Sequence, residues 1–286
     1  MSLENYNQLK FSIKQTIRNT IRCAVLDILC ELKKEEPISP GIQFLYFHHI
    51  FNDELEGLET ALHYLLKRYS FISYSNAVKL LHNGQIDKPY LCFSSDDGFK
   101  NNLNCLNLFK EYNISCCFFI NPAFIGEDDS LKLNFITKKI FHLNPGTIKF
   151  LNWVDVETLI DQGHEIGSHT MTHKNLNFLS DENLIYEISN SKITLEKHIG
   201  KINHFSFPYG TCNDFNLNAK SIVFDSGYIS CASAMRGYHT NKNIFKHDDI
   251  IRRDPIIFKN PKHQLRYFNI ENASNLKLQR HIILNY

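Results

Sequence analysis

The chain has 286 residues, of which 43% are hydrophobic and 21% are charged. This balance excludes a low-complexity or disordered protein and supplies apolar material for a large core, and α/β barrels commonly reach this length as one domain. Because 31 basic and 30 acidic side chains leave a net charge of only +1, no global field would attract nucleic acid, and we expect no nucleic-acid partner.

Residues 1–36 are predicted to form a helical extension before the main domain. Apolar residues recur at near-helical spacing between positions 13 and 32, and basic residues recur every fourth position beside them. This amphipathic, basic helix has two interpretations: it packs on the main domain with its cationic face in solvent, or residues 10–32 contact an anionic membrane surface. A charged, proline-rich connector at residues 33–40 leads into the main domain, which we place at residues 37–286.

Three features of the sequence bear on localisation. The opening residues do not show the basic start and apolar run of a secretory signal peptide, and no stretch approaches the ~18 apolar residues of a spanning helix. The eight cysteines are scattered without a Cys-x-x-Cys pair, which argues against a thiolate zinc site and is typical of core residues in a reducing compartment. We therefore expect a cytoplasmic protein, with membrane association left open by the basic helix.

In chain order, the main domain alternates apolar strands with helices. Strands are predicted at residues 42–48, 90–94, 115–120, 164–168, 204–207, 228–231 and 250–257, and helices at residues 58–69, 75–82, 103–112, 155–162, 181–199 and 215–225. Ser75 and Ser180 are placed as helix N-caps. The apolar strands separated by helices show the rhythm of parallel βαβ units, and about seven of them favour a closed or nearly closed α/β barrel over an open sheet.

Residues 121–150 interrupt this alternation and carry a lone predicted helix near residues 133–141. The segment lies between a strand and the histidine motif described below, where an insertion would overhang the active face of a barrel. Two interpretations stay open: a loop that shapes the substrate site, or a surface insertion without contact to substrate.

Two adjacent carboxylates follow the strand predicted at residues 90–94. Asp96 and Asp97 precede Gly98 and lie at the carboxyl end of the strand, where α/β folds place reactive groups. Neighbouring strand residues point to opposite faces, so a sharp turn at Gly98 is needed if both carboxylates serve one site. Taken alone, this pattern is more often a turn with a helix N-cap.

Two histidines four residues apart follow the strand predicted at residues 164–168. A helical turn begun at His169 would place its imidazole and that of His173 on one side. One carboxylate and two imidazoles form the three-ligand set of a catalytic divalent metal, which leaves a position for water. The second carboxylate, Asp96, is then free to act as a base.

These residues resemble the motifs of the polysaccharide deacetylase family, also called the NodB-homology or carbohydrate esterase family 4 domain. The family's first motif, Thr-Phe-Asp-Asp-Gly, corresponds to residues 94–98, which keep both carboxylates and the glycine but have serines in place of Thr and Phe. The second, His-Ser/Thr-x-x-His, matches residues 169–173 fully. The resemblance spans about residues 43–257 and is closest in style to the poly-N-acetylglucosamine deacetylase branch. It implies a distorted (β/α)7-type barrel, bound Zn²⁺ or another divalent transition metal, and an N-acylated amino-sugar substrate.

The family's third motif, Arg-x-Pro-Tyr-Gly, appears with Ser206 in place of the arginine and with Tyr209 retained. That arginine usually orients the base carboxylate, and the resemblance to aromatic-rich branches leaves Arg253 or Arg252 to replace it. A surface pair of arginines is the other interpretation. The family's C-terminal histidine motif is not convincingly present, so His48, in a segment that resembles the opening of the poly-N-acetylglucosamine branch, is the predicted general acid, with a structural role as the alternative.

The resemblance implies metal-assisted hydrolysis of an N-acyl amino sugar. The implied metal ligands are Asp97, His169 and His173. Asp96 would take a proton from water and His48 would protonate the leaving amine. The backbone N–H of Tyr209 would help to stabilise the oxyanion.

Three functions remain as alternatives. The first is a deacetylase acting on a nucleotide sugar, lipid-linked sugar or other glycan precursor, which the expected cytoplasmic location favours over finished polymer. The second is a non-catalytic carbohydrate-binding relative, suggested by the altered first and third motifs. The third is a deformylase on the same scaffold. Asp96 discriminates against the binder, because pure binding has no need for an unliganded carboxylate beside a metal.

Overall fold

The computed structural model of the chain describes residues 3–9, 37–141, 148–242, 244–259, 261–262 and 264–265. The predicted N-terminal helical extension, including residues 10–32, lies almost entirely outside the described residues, so it and the domain boundary stay predictions. Within the described residues, no helix has the length and apolar character needed to cross a bilayer.

The strands of the described chain belong to one sheet. They are β1 (Gly41–Phe47), β2 (Ser70–Phe71), β3 (Pro89–Ser95), β4 (Cys116–Ile120), β5 (Glu165–Ser168), β6 (His204–Ser206), β7 (Ser230–Ala232), β8 (Tyr238–His239), β9 (Ile250–Ile251) and β10 (Asp254–Pro255). The strand order is β10-β1-β3-β4-β5-β6-β7-β9, with β2 beside β3 and β8 beside β1. The pairings are parallel, except that β8 runs antiparallel to β1.

The two ends of this strand order belong to one short segment of chain. β9 pairs with β7 and β10 pairs with β1, and Arg252 and Arg253 alone separate the two strands in the sequence. The sheet therefore returns to its first strand, which confirms the predicted distorted (β/α)7-type barrel. The prediction of one continuous strand at residues 250–257 is wrong, because its two halves pair with different neighbours.

Eight α-helices have every residue described. They are α1 (Leu55–Leu66), α2 (Tyr74–Asn83), α3 (Leu106–Glu111), α4 (Ser130–Phe135), α5 (Trp153–Asp161), α6 (Asp181–Ile185), α7 (Ser191–Ile199) and α8 (Leu217–Asp225). The N-cap of α2 is Ser73, not Ser75 as predicted, because the Ser73 side chain accepts the Asn76 amide. The predicted single helix at residues 181–199 is interrupted between α6 and α7 by a π-helical turn, Tyr186–Asn190.

Side chains of β1, β3 and β4 alternate between two hydrophobic layers. One layer, which includes Tyr74 at the start of α2, contains Ile42, Phe44, Cys92, Cys117 and Phe119. The other, which includes apolar residues of α1 and α3, contains Leu45, Phe47, Leu91, Phe93, Cys116 and Phe118. Successive strand residues point to opposite faces, so these strands are buried on both sides. Each fully buried phenylalanine contributes roughly 1.5–3 kcal/mol, which fixes the strands whose carboxyl ends carry the motifs.

Candidate active site

The two carboxylates lie directly beyond β3, where the chain makes a left-handed turn. The Asp96 amide donates to the Phe47 carbonyl oxygen at 3.0 Å, so Asp96 continues the pairing of β3 with β1. Asp97 and Gly98 then have φ of 76° and 68°, a region that glycine adopts freely and aspartate tolerates. A Cβ on Gly98 would lie 3.0 Å from the Ile120 side chain, so the glycine also permits close approach to β4. The turn that two cooperating carboxylates require is therefore present, and both side chains are buried.

His169 and His173 follow β5 in an irregular turn. The prediction of a helical turn is wrong, because Thr170 and His173 have φ of 65° and 60° and bend the chain back on itself. The imidazoles nevertheless converge. The Nε2 atom of each lies 3.3 Å from Oδ1 of Asp97.

The donor atoms of Asp97, His169 and His173 are arranged as they would be around a cation. They lie within 4.8 Å of one another, and all three residues are buried. His169 Nδ1 lies 2.8 Å from the Ser206 carbonyl oxygen, which can only accept a hydrogen bond, so Nδ1 carries a proton and Nε2 is the nitrogen that faces Asp97. Oδ1 of Asp97 has no hydrogen-bond donor among the described residues. Two imidazole nitrogens that converge on one buried carboxylate oxygen form the donor set of a divalent cation, so these residues suit the zinc ion that the resemblance implies.

The pKa values of the three groups follow from burial and from their charged neighbours. Burial raises the pKa of Asp97, but the two imidazoles outweigh it and hold the pKa well below its usual value. Burial lowers the pKa of His173 below its usual value. Burial lowers the pKa of His169 as well, but the carboxylates of Asp96 and Asp97 outweigh it and raise the pKa. A metal ion at His169 would therefore compete with a proton, which makes metal affinity depend on pH.

Arg253 lies inside the barrel between β9 and β10 and holds Asp96. Its Nη1 and Nη2 atoms donate to the two Asp96 oxygens at 2.8 Å each. The remaining N–H groups donate to Ser94 Oγ at 3.0 Å, to Ser206 Oγ at 2.8 Å and to the Ser233 carbonyl oxygen at 2.8 Å. All five guanidinium N–H groups thus have an acceptor. Burial raises the pKa of Asp96, but the Arg253 charge outweighs it, and the pKa lies below its usual value.

Aromatic rings enclose the Arg253 guanidinium. Its central carbon lies 4.6 Å from the ring centre of Tyr46 and 5.3 Å from that of Phe119, a cation–π arrangement. Arg253 is fully buried, whereas Arg252 is partly exposed. Of the two arginines that the sequence left open, the structure places Arg253 beside Asp96.

His48 and Tyr209 lie at the same end of the barrel as this cluster. His48 follows β1 and is exposed, and its charge is among the influences that lower the pKa values of Asp97 and Asp96. Tyr209 lies in the loop after β6 with φ of 63°. Its ring centre is 5.1 Å from that of His173, and 47% of the residue is exposed. The structure therefore places all predicted site residues at one end of the barrel.

The insertion at residues 121–150 reaches the cluster through Phe141. The ring centre of Phe141 lies 4.7 Å from that of His173 and 4.9 Å from that of Phe99. The described part of the insertion thus borders the site. Substrate shaping by this segment stays a prediction, and residues 142–147 lie outside the described residues.

Two polar residues outside the motifs hold the histidine turn, and neither was predicted. Nδ2 of Asn121 donates to the Thr170 carbonyl oxygen at 3.1 Å, and Glu187 accepts the Thr172 amide at 2.8 Å. Asn121 directly follows β4, a strand end where functional groups are expected, so its position was a usable signal. Glu187 lies on a helical stripe of buried apolar residues, where a carboxylate is unexpected unless it has a partner. The stripe comprises Leu184, Ile188 and Leu195.

The chain is similar to one protein family and to several solved structures. The family model described as polysaccharide deacetylase matches residues 83–228, which contain the three motifs but neither His48 nor Arg253. No curated protein sequence gives a significant match. IcaB from Ammonifex degensii has a TM-score of 0.64 at 14% identity, with 81% of this chain and 98% of that chain covered.

Two further structures show the same likeness. The Streptococcus pyogenes deacetylase PplD, in complex with acetate, has a TM-score of 0.61 at 15% identity over 81% of this chain and 98% of its own. The deacetylase domain of BpsB from Bordetella bronchiseptica has a TM-score of 0.59 at 14% identity over 77% of this chain and 97% of its own. At these identities the likeness establishes the fold.

Proposed function

Because the chain belongs to the polysaccharide deacetylase family, we propose that it is a metal-dependent carbohydrate N-deacetylase. The proposed reaction is hydrolysis of an N-acyl group, in the first place acetyl, from an amino sugar in a glycan, lipid-linked sugar or nucleotide sugar. One observation carries the proposal: Oδ1 of Asp97 faces the Nε2 atoms of His169 and His173 at 3.3 Å each, with no hydrogen-bond donor among the described residues.

The three residues of this cluster would hold the metal. Asp97, His169 and His173 supply one carboxylate oxygen and two imidazole nitrogens, the set that leaves a coordination position open. A zinc ion held there would polarise an acyl carbonyl and lower the pKa of bound water. The Ser206 carbonyl oxygen fixes the His169 tautomer and ring orientation, as partners of metal-binding histidines commonly do.

Asp96 would accept the proton that the attacking water loses. Each of its oxygens accepts one hydrogen bond from an Arg253 nitrogen, which leaves further lone pairs for water. The ion pair keeps the carboxylate ionised at neutral pH and fixes its plane, so the base does not need to reorient during the reaction. Arg253 would therefore position Asp96 and take no proton itself.

His48 would donate a proton to the leaving amine, without which amine expulsion is slow. Its exposure at the barrel end lets it recover that proton from solvent. The backbone N–H of Tyr209 would donate to the oxygen on which negative charge develops. The His48 imidazole and the Tyr209 N–H follow different strands, β1 and β6, and would act on one reacting carbon. Catalytic groups of α/β barrels commonly come from the ends of different strands.

The Arg253–Asp96 pair favours an enzyme over a carbohydrate-binding relative. Burial of an ion pair costs desolvation energy that the attraction between the two charges need not recover. Sugar binding alone gives no reason for a buried carboxylate beside the proposed metal ligands. A deformylase would use the same residues and differ in the acid that it releases.

The test is product release from a panel of N-acetylated oligosaccharides and nucleotide sugars, with zinc-loaded and chelator-treated protein side by side. We expect acetate and free amine in equal amounts from at least one substrate, and neither product after chelation. Formate from N-formyl substrates alone would favour the deformylase. Bound zinc without amine release from any substrate would favour the binder.

A further inference from the structure

The turn from His169 to His173 holds its two imidazoles in a backbone conformation that its own residues disfavour. Thr170 and His173 are left-handed, with φ of 65° and 60°, although neither is glycine and threonine is β-branched. Such residues persist only where surrounding contacts fix them. The geometry of the ligand cluster therefore depends on what holds this turn.

Contacts from two sides hold it. On one side, the Asn121 side-chain amide donates to the carbonyl oxygens of the first two residues of the turn. On the other side, the Glu187 carbonyl oxygen accepts the Met171 amide at 2.9 Å. The Glu187 carboxylate accepts the Thr172 amide at 2.8 Å through one oxygen and the Thr172 hydroxyl through the other. The Ala123 amide also donates to the Met171 carbonyl oxygen at 3.3 Å. Among these contacts in the middle of the turn, Glu187 provides the only ones made by a side chain.

The helix that carries Glu187 is irregular at that point. Glu187 lies in the π-helical turn Tyr186–Asn190 between α6 and α7, and such turns are frequent at functional sites. Glu187 is only 3% exposed. A buried carboxylate is costly unless it is hydrogen-bonded, and the two hydrogen bonds from Thr172 offset that cost.

We propose that Glu187 is a positioning residue of the metal site. Through Thr172 it fixes the turn so that the Nε2 atoms of His169 and His173 meet Asp97. The inference rests on the proposed function, because it takes the cluster to bind a metal. Glu187 then controls zinc affinity while touching neither zinc nor substrate, as groups that orient metal ligands do.

Two substitutions at Glu187 separate positioning from burial alone. E187A removes both carboxylate oxygens. E187Q can keep both contacts, because its carbonyl oxygen accepts from the Thr172 amide while its NH₂ group donates to the Thr172 hydroxyl. Glu54 offers a matched control: it is 2% exposed and accepts the Phe51 amide at 3.0 Å, but it lies in a different segment of the chain.

The experiment measures the zinc dissociation constant of the full-length variants by competition with a chelator, together with the free energy of unfolding without metal. E187A should bind zinc roughly 10–100-fold more weakly than wild type, whereas E187Q should bind close to wild type. E54A should lower the stability of the metal-free protein and leave zinc affinity unchanged. Should E187A fail to fold, T172V removes the hydroxyl contact alone and should also weaken zinc binding.

Wild-type zinc affinity in E187A, or in T172V where E187A does not fold, would overturn the positioning role. Zinc binding that is weakened as much in E187Q as in E187A would also overturn the positioning role, because loss of the hydrogen bonds would then not be the cause. Absence of zinc binding by the wild-type protein is a separate result, which contradicts the proposed function itself and the role of Glu187 with it.

Discussion

The Arg253 guanidinium and the Asp96 carboxylate meet through two hydrogen bonds of 2.8 Å inside the barrel. Arg253 also stands where the sheet closes, between β9, which pairs with β7, and β10, which pairs with β1. The segment that completes the barrel therefore also orients the proposed base. A change that shifts this segment would move Asp96, so we expect barrel closure and the proposed catalysis to be coupled.

Arg253→Lys should lower activity strongly while the fold is retained. Lysine carries a positive charge but cannot offer the two parallel hydrogen bonds of a guanidinium, so Asp96 would lose its fixed plane. A misplaced catalytic group can reduce the rate by ~10²-fold, and kcat/KM for amine release should fall by about that factor.

Arg252→Lys is the matched control for this substitution. Arg252 is partly exposed and stands outside the five-donor network of Arg253, so kcat/KM should stay close to wild type. Unchanged kcat/KM in Arg253→Lys, or equal losses in both variants, would contradict the positioning of Asp96 by Arg253.

The neighbours His48 and His49 should differ sharply in their effect on the reaction. His48 is exposed. The ring of His49 stacks on Phe99, with 4.6 Å between ring centres, and on Phe51, with 4.9 Å. His48→Ala should lower kcat/KM by ~10²–10⁴-fold, the usual contribution of a general acid. His49→Phe preserves the stack and should retain most of the activity. The reverse ranking would move the general acid to His49.

His49 should also make the folded protein less stable in acid. Burial, followed by the nearby His48 charge, lowers the pKa of His49 from 6.5 to about 3. Between these values the unfolded chain binds a proton that the folded chain does not, so the stability that His49 contributes is lost as pH falls from 6.5 toward 3. His49→Phe should reduce the slope of unfolding free energy against pH by up to ~1.4 kcal/mol per unit in this range. A slope equal to that of wild type would show that His49 titrates normally.

Gly210 should be more sensitive to substitution than a glycine of the same backbone conformation elsewhere. Gly210 and Gly84 have φ of 69° and 63°, but a Cβ at Gly210 would lie 2.4 Å from the Ala234 backbone nitrogen, whereas Gly84 has open space. Gly84→Ala should cost roughly 1–2 kcal/mol from the left-handed conformation alone. Gly210→Ala should cost more and also lower kcat/KM, because it displaces Tyr209. Equal stability losses and unchanged activity would contradict this account of the loop.

The parts of the fold that the sequence predicts well are those with local signals. β1, β3 and β4 are buried on both faces, so each is a short, largely apolar segment, which together with its length favours a buried strand. β2 and β8 were missed, because each has two residues and exists through its pairing partner. The N-cap of α2 was misplaced from Ser73 to Ser75, since two serines compete within one turn of chain. In the structure the Ser75 hydroxyl is hydrogen-bonded to Glu165 and His204. The sequence does not predict these contacts, because they join distant segments of the chain.

The candidate site likewise has parts with local sequence signals and parts that depend on contacts between distant residues. Residue type, spacing and the family resemblance together predict Asp97, His169 and His173 as a ligand set, but the left-handed turn that joins the histidines depends on Asn121 and Glu187. Asn121 lies 48 residues from His169, whose carbonyl oxygen it binds, and Glu187 lies 15 residues from Thr172, whose amide it binds. Which of the two arginines after β9 reaches Asp96 likewise depends on the break between β9 and β10. The two strands pair with different neighbours, and no periodic pattern in the sequence predicts that break.

The measurement that tests the central claim most directly is the zinc content per chain of wild type, Asp96→Asn and His169→Ala, measured with turnover on the same samples. Wild type should hold a single zinc ion and release amine, since three buried ligands suffice for one ion. Asp96→Asn should hold zinc but lose turnover, and His169→Ala should lose both. Equal zinc content in wild type and His169→Ala, or full turnover in Asp96→Asn, would contradict the assignment of Asp97, His169 and His173 as ligands or of Asp96 as the base.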